Sequence, residues 1–266
     1  MFKQHFGMKF NPFDKEIDCA SLYAGADLKE LESRLRFMLE NRGIFLLVGE
    51  PGSGKTTALR KFAEGLGPNL YKPFYLSLTT LTVNDFYFSL ASQLGEQPKY
   101  RKIDMFHQIQ HAINALYFEQ RITPVIIADE MHMASTSILD DIRMLFNFRM
   151  DSVNPFVLII AAQPLIRNKL ALNMCLPLKQ RILNKYTMKG LTLTETSEYI
   201  KSRMELAGVA RDVFTDLAIE AIHSSSNGFP RNINNIATTC LMYCKWKGLD
   251  TVDEEVVYQA NVELAV

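Results

Sequence analysis

The chain has 266 residues, an apolar share of 48%, and 29 basic residues against 29 acidic ones. That size and composition suit one large domain, or a domain with a smaller companion, built on a packed core. The balanced charge excludes a chain that binds polyanions through its overall field, so any nucleic-acid contact must come from a local patch.

The first 27 residues are irregular and rich in aromatic side chains. Phe6, Phe10, Phe13 and Tyr23 read as packing this segment onto the domain that follows, with Asn11-Pro12-Phe13 as a turn. Leu28 to Asn41 has helical spacing, with Leu31, Leu35, Met38 and Leu39 on one face. Ile44 to Val48 is a short apolar run that reads as a buried strand. It leads into Gly49-Glu50-Pro51-Gly52-Ser53-Gly54-Lys55-Thr56, the Gly-x4-Gly-Lys-Thr pattern of a phosphate-binding loop. A helix from Thr57 to Leu66 follows. The glycines let successive N–H groups turn toward phosphate oxygens, and the helix N-terminus adds partial positive charge. Lys55 is placed to reach the outer phosphates and the Thr56 hydroxyl to bind Mg²⁺. A glycine-rich turn without a ligand is the bland alternative, outweighed by eight fitting positions in a strand–loop–helix context.

A second strand is expected at Phe74 to Leu78, then a helix from Val83 to Leu94 capped by Thr79, Thr80 or Thr82. The polar loop Gly95 to Lys102 carries Lys99, Arg101 and Lys102. Residues 103–120 read as one amphipathic helix, and Val125 to Ala128 as a buried third strand ending at Asp129-Glu130. Beside a phosphate loop, Asp129 is expected to hold Mg²⁺ and Glu130 to polarise the attacking water as a general base. A helix is read over 135–149, a fourth strand from Phe156 to Ala161 next to the third, and a fifth from Tyr186 to Leu191. Gln163, just past the fourth strand, is a candidate for touching the attacking water or the γ-phosphate.

Alternating strands and helices predict an α/β fold, a parallel sheet between helices with the phosphate loop at the strands' carboxyl ends. Beyond residue 190 only helices are expected: Thr194 to Ala207, Val213 to Ser224, Ile233 to Lys247 and Asp253 to Leu264. The expected division is therefore 1–190 for the nucleotide-binding domain and 191–266 for a small all-α domain. Arg231, at a turn opening one of its helices, could sense the γ-phosphate of its own chain. Arg181 lies late in the large domain and could reach a neighbouring subunit's nucleotide; such an arginine contributes about 10³–10⁵ in rate. Arg167 to Lys189 holds six basic residues and no acidic one. Of the two basic stretches, the loop with Lys99, Arg101 and Lys102 is the favoured contact for DNA phosphates. For all of these the plain alternative is a solvated face or a subunit interface.

Cys19, Cys175, Cys240 and Cys244 form no Cys-x2-Cys pair. Cys240 and Cys244 read as buried core thiols rather than half a metal site, which fits a reducing compartment. No basic segment followed by an apolar run opens the chain, and no apolar run approaches the roughly 20 residues that span a bilayer. A soluble, cytoplasmic protein with no membrane partner is expected.

Together these residues resemble an AAA+ ATPase and, more narrowly, the TniB/TnsC/ExeA group of its initiator-like branch. The matching pieces are Asn11-Pro12-Phe13, Gly49 to Thr57, Asp129-Glu130-Met131-His132, Ala162-Gln163-Pro164-Leu165, Leu178 to Ile182, and Gly228-Phe229-Pro230-Arg231-Asn232-Ile233-Asn234, in the expected order. The group commonly has Ala where Met131 stands and often Gly where Ala162 stands. The resemblance implies an α/β ATPase core with a helical lid, and ATP with Mg²⁺ bound between subunits. It also implies Gln163 as sensor, Arg181 as arginine finger and Arg231 as lid sensor. Group members that help transposition coat double-stranded DNA as rings or filaments and recruit a transposase beside a target-selection protein. Others are secretion ATPases that continue into a membrane span and a cell-wall-binding part; a chain ending at Val266 without a span favours the first role. A helicase loader or replication initiator is a further alternative, separated by its partner.

Overall fold

The computed structural model describes residues 2–15, 18, 21–77, 82–150 and 152–264. By contact the chain forms two units: Met1–Lys29, Gly52–Gly54 and Lys189–Val266 in one, Glu30–Pro51 and Lys55–Met188 in the other. In chain order the elements are α1 (Phe2–Phe6), α2 (Ala26–Asn41), β1 (Gly43–Val48), α3 (Lys55–Glu64), β2 (Tyr71–Ser77), α4 (Val83–Gln93), α5 (Lys102–Asn114), β3 (Thr123–Asp129), α6 (Thr136–Leu145) and β4 (Val157–Ala162). There follow α7 (Ile166–Leu170), α8 (Leu176–Arg181), β5 (Ile182–Thr187), α9 (Leu193–Leu206), α10 (Asp216–Ser226), α11 (Pro230–Lys247) and α12 (Glu254–Leu264).

The sheet unit carries five parallel strands in the order β2-β3-β4-β1-β5. Burial follows position. β1 and β4, read GIFLLV and VLIIAA, are buried at every residue, as central parallel strands covered on both faces must be. The edge strands β2 and β5 alternate instead. Pro73 is tolerated in β2 because an edge strand has one side without a ladder partner. Pro124, in the interior strand β3, sits one residue before pairing with β4 begins at Val125, so no ladder donor is lost there.

The expected strands and helices recur with displaced limits. The fifth strand lies at Ile182–Thr187, not Tyr186–Leu191: its edge position leaves Asn184 and Lys185 partly solvated, so the strand lacks an apolar run. The helix read over 103–120 is α-helical to Asn114 and then passes into a π-helical turn, Ala115–Glu119. The helix read over 135–149 stops at Leu145, because Arg149 and Met150 take left-handed backbone conformations in a loop closed by a Phe148–Val153 bridge. Three short helical pieces, α7, a 3₁₀ turn at Asn173–Cys175 and α8, occupy the stretch between β4 and β5. Thr82 caps α4 in a capping box with Asp85; Thr79 and Thr80 lie outside the described residues, as does Cys19.

The helical unit is α1 and α9–α12 around their own core. The N-terminal segment belongs here by packing rather than with the sheet: Phe6, Met8 and Phe13 are buried among Tyr199, Met204, Val209 and Phe214. Asn11 Oδ1 accepts the Phe13 N–H at 3.1 Å, forming the expected turn. The buried Arg203 guanidinium donates to the Pro12 carbonyl and, at 2.7 Å, to that of Asp14. Burial lowers its pKa from the ordinary arginine value. Cys240 and Cys244 are fully buried; burial raises both thiol pKa values, that of Cys244 from 9.0 to about 11. No described helix is long and apolar enough to cross a membrane.

Candidate nucleotide site

Strand order brings the site together. The glycine loop leaves β1, Asp129 ends β3, and β4 lies between them with Gln163 just past its last residue. Three sequence segments far apart in the chain thus reach the carboxyl end of one sheet at adjacent strands, where the order reverses and open α/β sheets bind ligands.

Within the loop, Gly52 and Gly54 have φ of +83° and +93°, values that turn neighbouring N–H groups toward one side of the chain. Gly52 lies against helix α11 of its own unit: the Arg231 N–H donates to the Gly52 carbonyl at 3.3 Å, and a Cβ on Gly52 would meet Arg231 Cβ at 2.8 Å. Only glycine fits there. Ser53 is 2% exposed, and its hydroxyl has no hydrogen-bond partner among the described residues. Lys55 is 6% exposed, and its ammonium donates to the carbonyls of Gly49 and Glu50 at 2.7 and 3.0 Å.

Thr56 Oγ1 donates to Asp129 Oδ2 at 2.7 Å, although 73 residues separate them. The same oxygen accepts the Tyr75 hydroxyl at 3.1 Å, and Oδ1 accepts the Glu130 N–H at 2.8 Å. The Asp129 carboxylate, 1% exposed, is therefore fixed by three donors. Burial, then the Asp129 charge, pushes the Tyr75 hydroxyl up to about 12, so it stays a donor at neutral pH. A hydroxyl and a carboxylate side by side are hard oxygen donors of the kind Mg²⁺ prefers. The orphaned Ser53 hydroxyl, the turned glycines and the loop ammonium likewise fit a phosphate chain. The residues present suit a Mg²⁺–triphosphate.

Glu130 adopts φ +57°, a left-handed conformation that costs an ordinary side chain about 1–2 kcal/mol. Such strain concentrates at functional positions. The turn after it is tied to β4 and α7: Met131 N–H donates to the Ala161 carbonyl at 3.0 Å, and Lys169 Nζ to the carbonyls of His132 and Ala134 at 2.6 and 2.7 Å. His132 Nδ1 lies 3.5 Å from Glu130 Oε2 and faces the Gln163 N–H at 3.5 Å.

Lys55, Thr56, Asp129, Glu130 and Gln163 thus gather at one end of the sheet; Glu50 and Pro51 are on the loop's exposed side and Thr57 is half-buried in α3. Arg181 does not join them. It precedes β5, whose Ile182 pairs with Ile44 at the start of β1, while the loop follows Val48 at that strand's end. Strand rise of about 3.3 Å per residue puts several residues' length, over 10 Å, between them. Its guanidinium donates to the Arg143 carbonyl at 2.7 Å. The loop with Lys99, Arg101 and Lys102 connects α4 to α5. There Arg101 pairs with Asp104 at 2.8 Å and Lys102 with Asp141 at 2.6 Å, and Lys99 is exposed. Sequence reasoning missed Tyr75 and Lys169; neither stands in a recognisable pattern, because each acts through a fold contact.

The sheet order, glycine loop and strand-end carboxylates define a P-loop protein with the AAA+ fold. A family model described as an AAA domain matches residues 38–170, and the chain belongs to that family. It is also similar to the General secretion pathway protein A of Aeromonas hydrophila, 28% identical over 248 residues, which cover 91% of this chain and 44% of that protein. The chain thus spans less than half the length of that relative. Among solved structures it resembles the Cdc6p of Pyrobaculum aerophilum, with 16% identity, a TM-score of 0.72, and coverage of 95% of this chain and 70% of that one. The ORC1 protein of Aeropyrum pernix, solved in complex with DNA, gives 17%, 0.66, 95% and 68%. The RuvB Holliday junction branch migration motor of Thermotoga maritima gives 21%, 0.59, 90% and 68%. At these identities the structural likenesses establish the fold, that of AAA+ ATPases.

Proposed function

We propose that this chain binds ATP with Mg²⁺ at the phosphate loop, hydrolyses it, and assembles as a nucleotide-dependent homo-oligomer, ring or filament, on double-stranded DNA. The observation that carries the reading is the meeting of Thr56, the last residue of the phosphate-loop pattern, with a triply held Asp129 at the end of β3. Lys55 would exchange its loop carbonyls for the outer phosphates. Thr56 and Asp129 would hold Mg²⁺, which when bound neutralises charge on the phosphate oxygens. Glu130 would orient the attacking water and draw off its proton, a contribution of about 10²–10⁴. Gln163 would sense the γ-phosphate beside it, and Arg231 would do so from residues 191–266 acting as a lid. Arg181 is remote from its own loop, which suits a finger supplied to a neighbouring copy.

In this reading Lys99, Arg101 and Lys102 contact DNA phosphates. Arg101 and Lys102 would release their aspartates, and exposed ion pairs are weak enough for that exchange. A transposase and a target-selection protein are the further partners, in the cytoplasm. A second reading is favoured by the likeness to the General secretion pathway protein A: an ATPase of secretion or cell-wall assembly, for which DNA is irrelevant. Light scattering with Mg-ATP, with and without duplex DNA, across salt concentrations, separates the two. The first expects assemblies that need ATP, grow with DNA and shrink as salt rises; assemblies indifferent to DNA favour the second. Glu130→Gln should keep ATP binding and assembly but lower turnover at least about 10²-fold. Normal turnover in that variant would remove Glu130 from its role.

A further inference from the structure

We infer that His132 is a positioning residue for Glu130, coupling it to the carboxyl end of β4 through a single ring nitrogen. This rests on reading Glu130 as the group that orients the attacking water.

The backbone on both sides of Glu130 is clamped. Asp129 Oδ1 holds the Glu130 N–H, Ala161 holds the Met131 N–H, and Lys169 holds the carbonyls of His132 and Ala134. The reach of the Glu130 carboxylate is therefore set by its side chain, which is 40% exposed. Among the described residues the side chain that faces its carboxylate is that of His132, 3.5 Å away, whose ring is buried.

The contact is a shared one. His132 Nδ1 faces both Glu130 Oε2 and the Gln163 N–H, each at 3.5 Å. An imidazole nitrogen carries either a lone pair or a hydrogen, never both. With the lone pair on Nδ1, the ring accepts from the Gln163 backbone and repels the carboxylate. With hydrogen on Nδ1, it draws the carboxylate in and loses the Gln163 N–H. The ring can serve one partner at a time, so a shift of Gln163 at the end of β4 changes what holds Glu130. The proposed sensor and the proposed base are linked by one atom, with both partners at the long limit of hydrogen bonding, where small displacements choose between them.

The test uses the full chain with Mg-ATP and compares His132→Phe, His132→Asn, Glu130→Gln and the double variant His132→Phe/Glu130→Gln. Turnover is measured under single-turnover and steady-state conditions, ATP Kd by titration, and folding by thermal melts. His132→Phe keeps a buried ring but no polar atom. It should lower kcat roughly 10- to 100-fold, the scale of a misplaced catalytic group, with ATP Kd changed by less than about twofold. His132→Asn sets an amide near the Nδ1 position and should recover most of the rate, which also covers the case in which the phenylalanine variant folds poorly. In the Glu130→Gln background His132→Phe should add no further loss, because residues acting through one another are not additive. If Glu130→Gln loses turnover while His132→Phe keeps it, or if the two losses simply multiply, the inference is overturned and the role of Glu130 stands. If Glu130→Gln turns over normally, the role of Glu130 falls and the inference falls with it.

Discussion

Ser53→Ala should strengthen the protein without nucleotide and weaken its hold on ATP. Ser53 is 2% exposed in the loop between the two positive-φ glycines, and its hydroxyl meets no hydrogen-bond partner among the described residues. A buried, unsatisfied polar group costs about 1–3 kcal/mol. Replacing it with hydrogen leaves almost no cavity, so unfolding without ligand should become about 1 kcal/mol harder, a rise of roughly 2–4 °C in melting temperature. If that hydroxyl is aimed at a phosphate oxygen, its loss removes a hydrogen bond to a charged acceptor, worth about 1.5–3 kcal/mol, and ATP affinity should drop about 10- to 100-fold. ATP at 100 times its Kd stabilises the native protein by about 2.7 kcal/mol; for a tenfold weaker binder the gain is about 1.4 kcal/mol. Melts of both proteins with and without Mg-ATP, alongside direct titration, read both effects. The variant should start higher and gain less. A variant that melts lower without ATP would mean that the hydroxyl has a partner in solution. An unchanged ATP gain would mean that it does not face the phosphates, and the fit of the loop to a triphosphate would lose one of its supports.

Gly228→Ala should unfold the helical unit at markedly lower urea. Gly228 has φ +70°, and a Cβ there would stand 2.1 Å from the Leu191 carbonyl oxygen, a backbone atom that accepts no easy displacement. Left-handed strain of about 1–2 kcal/mol and forced repacking of about 1–3 kcal/mol together come to about 2–5 kcal/mol; loss of the helical circular-dichroism signal follows the transition, and a loss under about 1 kcal/mol would contradict the geometry. Cys240 and Cys244 should resist alkylation at pH 8 in the folded chain and react once it unfolds. Because burial raises the Cys244 thiol from 9.0 to about 11, its contribution to stability is complete below pH 9 and is lost as pH rises toward 11. Rapid labelling of either cysteine in the native protein would place it outside the core.

Much of the fold was legible because its strongest signals are local. β1 and β4 are apolar at every position, the pattern of parallel strands covered on both faces, and their shortness and β-branched content favour strand over helix. The helices of the second unit announce themselves by periodicity and by caps such as Thr192 with Glu195. What failed was context. β5 is an edge strand whose exposed face carries Leu183, Lys185 and Thr187 and whose other face includes the polar Asn184, so it shows no continuous apolar run. The packing of the first residues was misassigned for a related reason: Phe6 and Phe13 advertise burial, but not which core receives them.

The site divides in the same way. The loop glycines, Lys55 and Thr56 are contiguous, and Asp129-Glu130 end a strand, so pattern alone located them; the 2.7 Å contact between Thr56 and Asp129 then follows from strand order. Residues that act through the fold carry no such mark. Tyr75 is one aromatic residue in a strand until β2 pairs with β3 and brings its hydroxyl to Asp129. The basic loop shows the converse. Lys99, Arg101 and Lys102 read as unopposed charge, yet Lys102 meets Asp141, 39 residues away on α6, and Arg101 turns back to Asp104. Local charge counts overstate the field such a loop presents. If DNA binds there, the salt slope should reflect fewer than three released cations' worth of counterions, since two of the three exchange one anion for another. A slope near three would require that Asp104 and Asp141 leave their partners before DNA arrives.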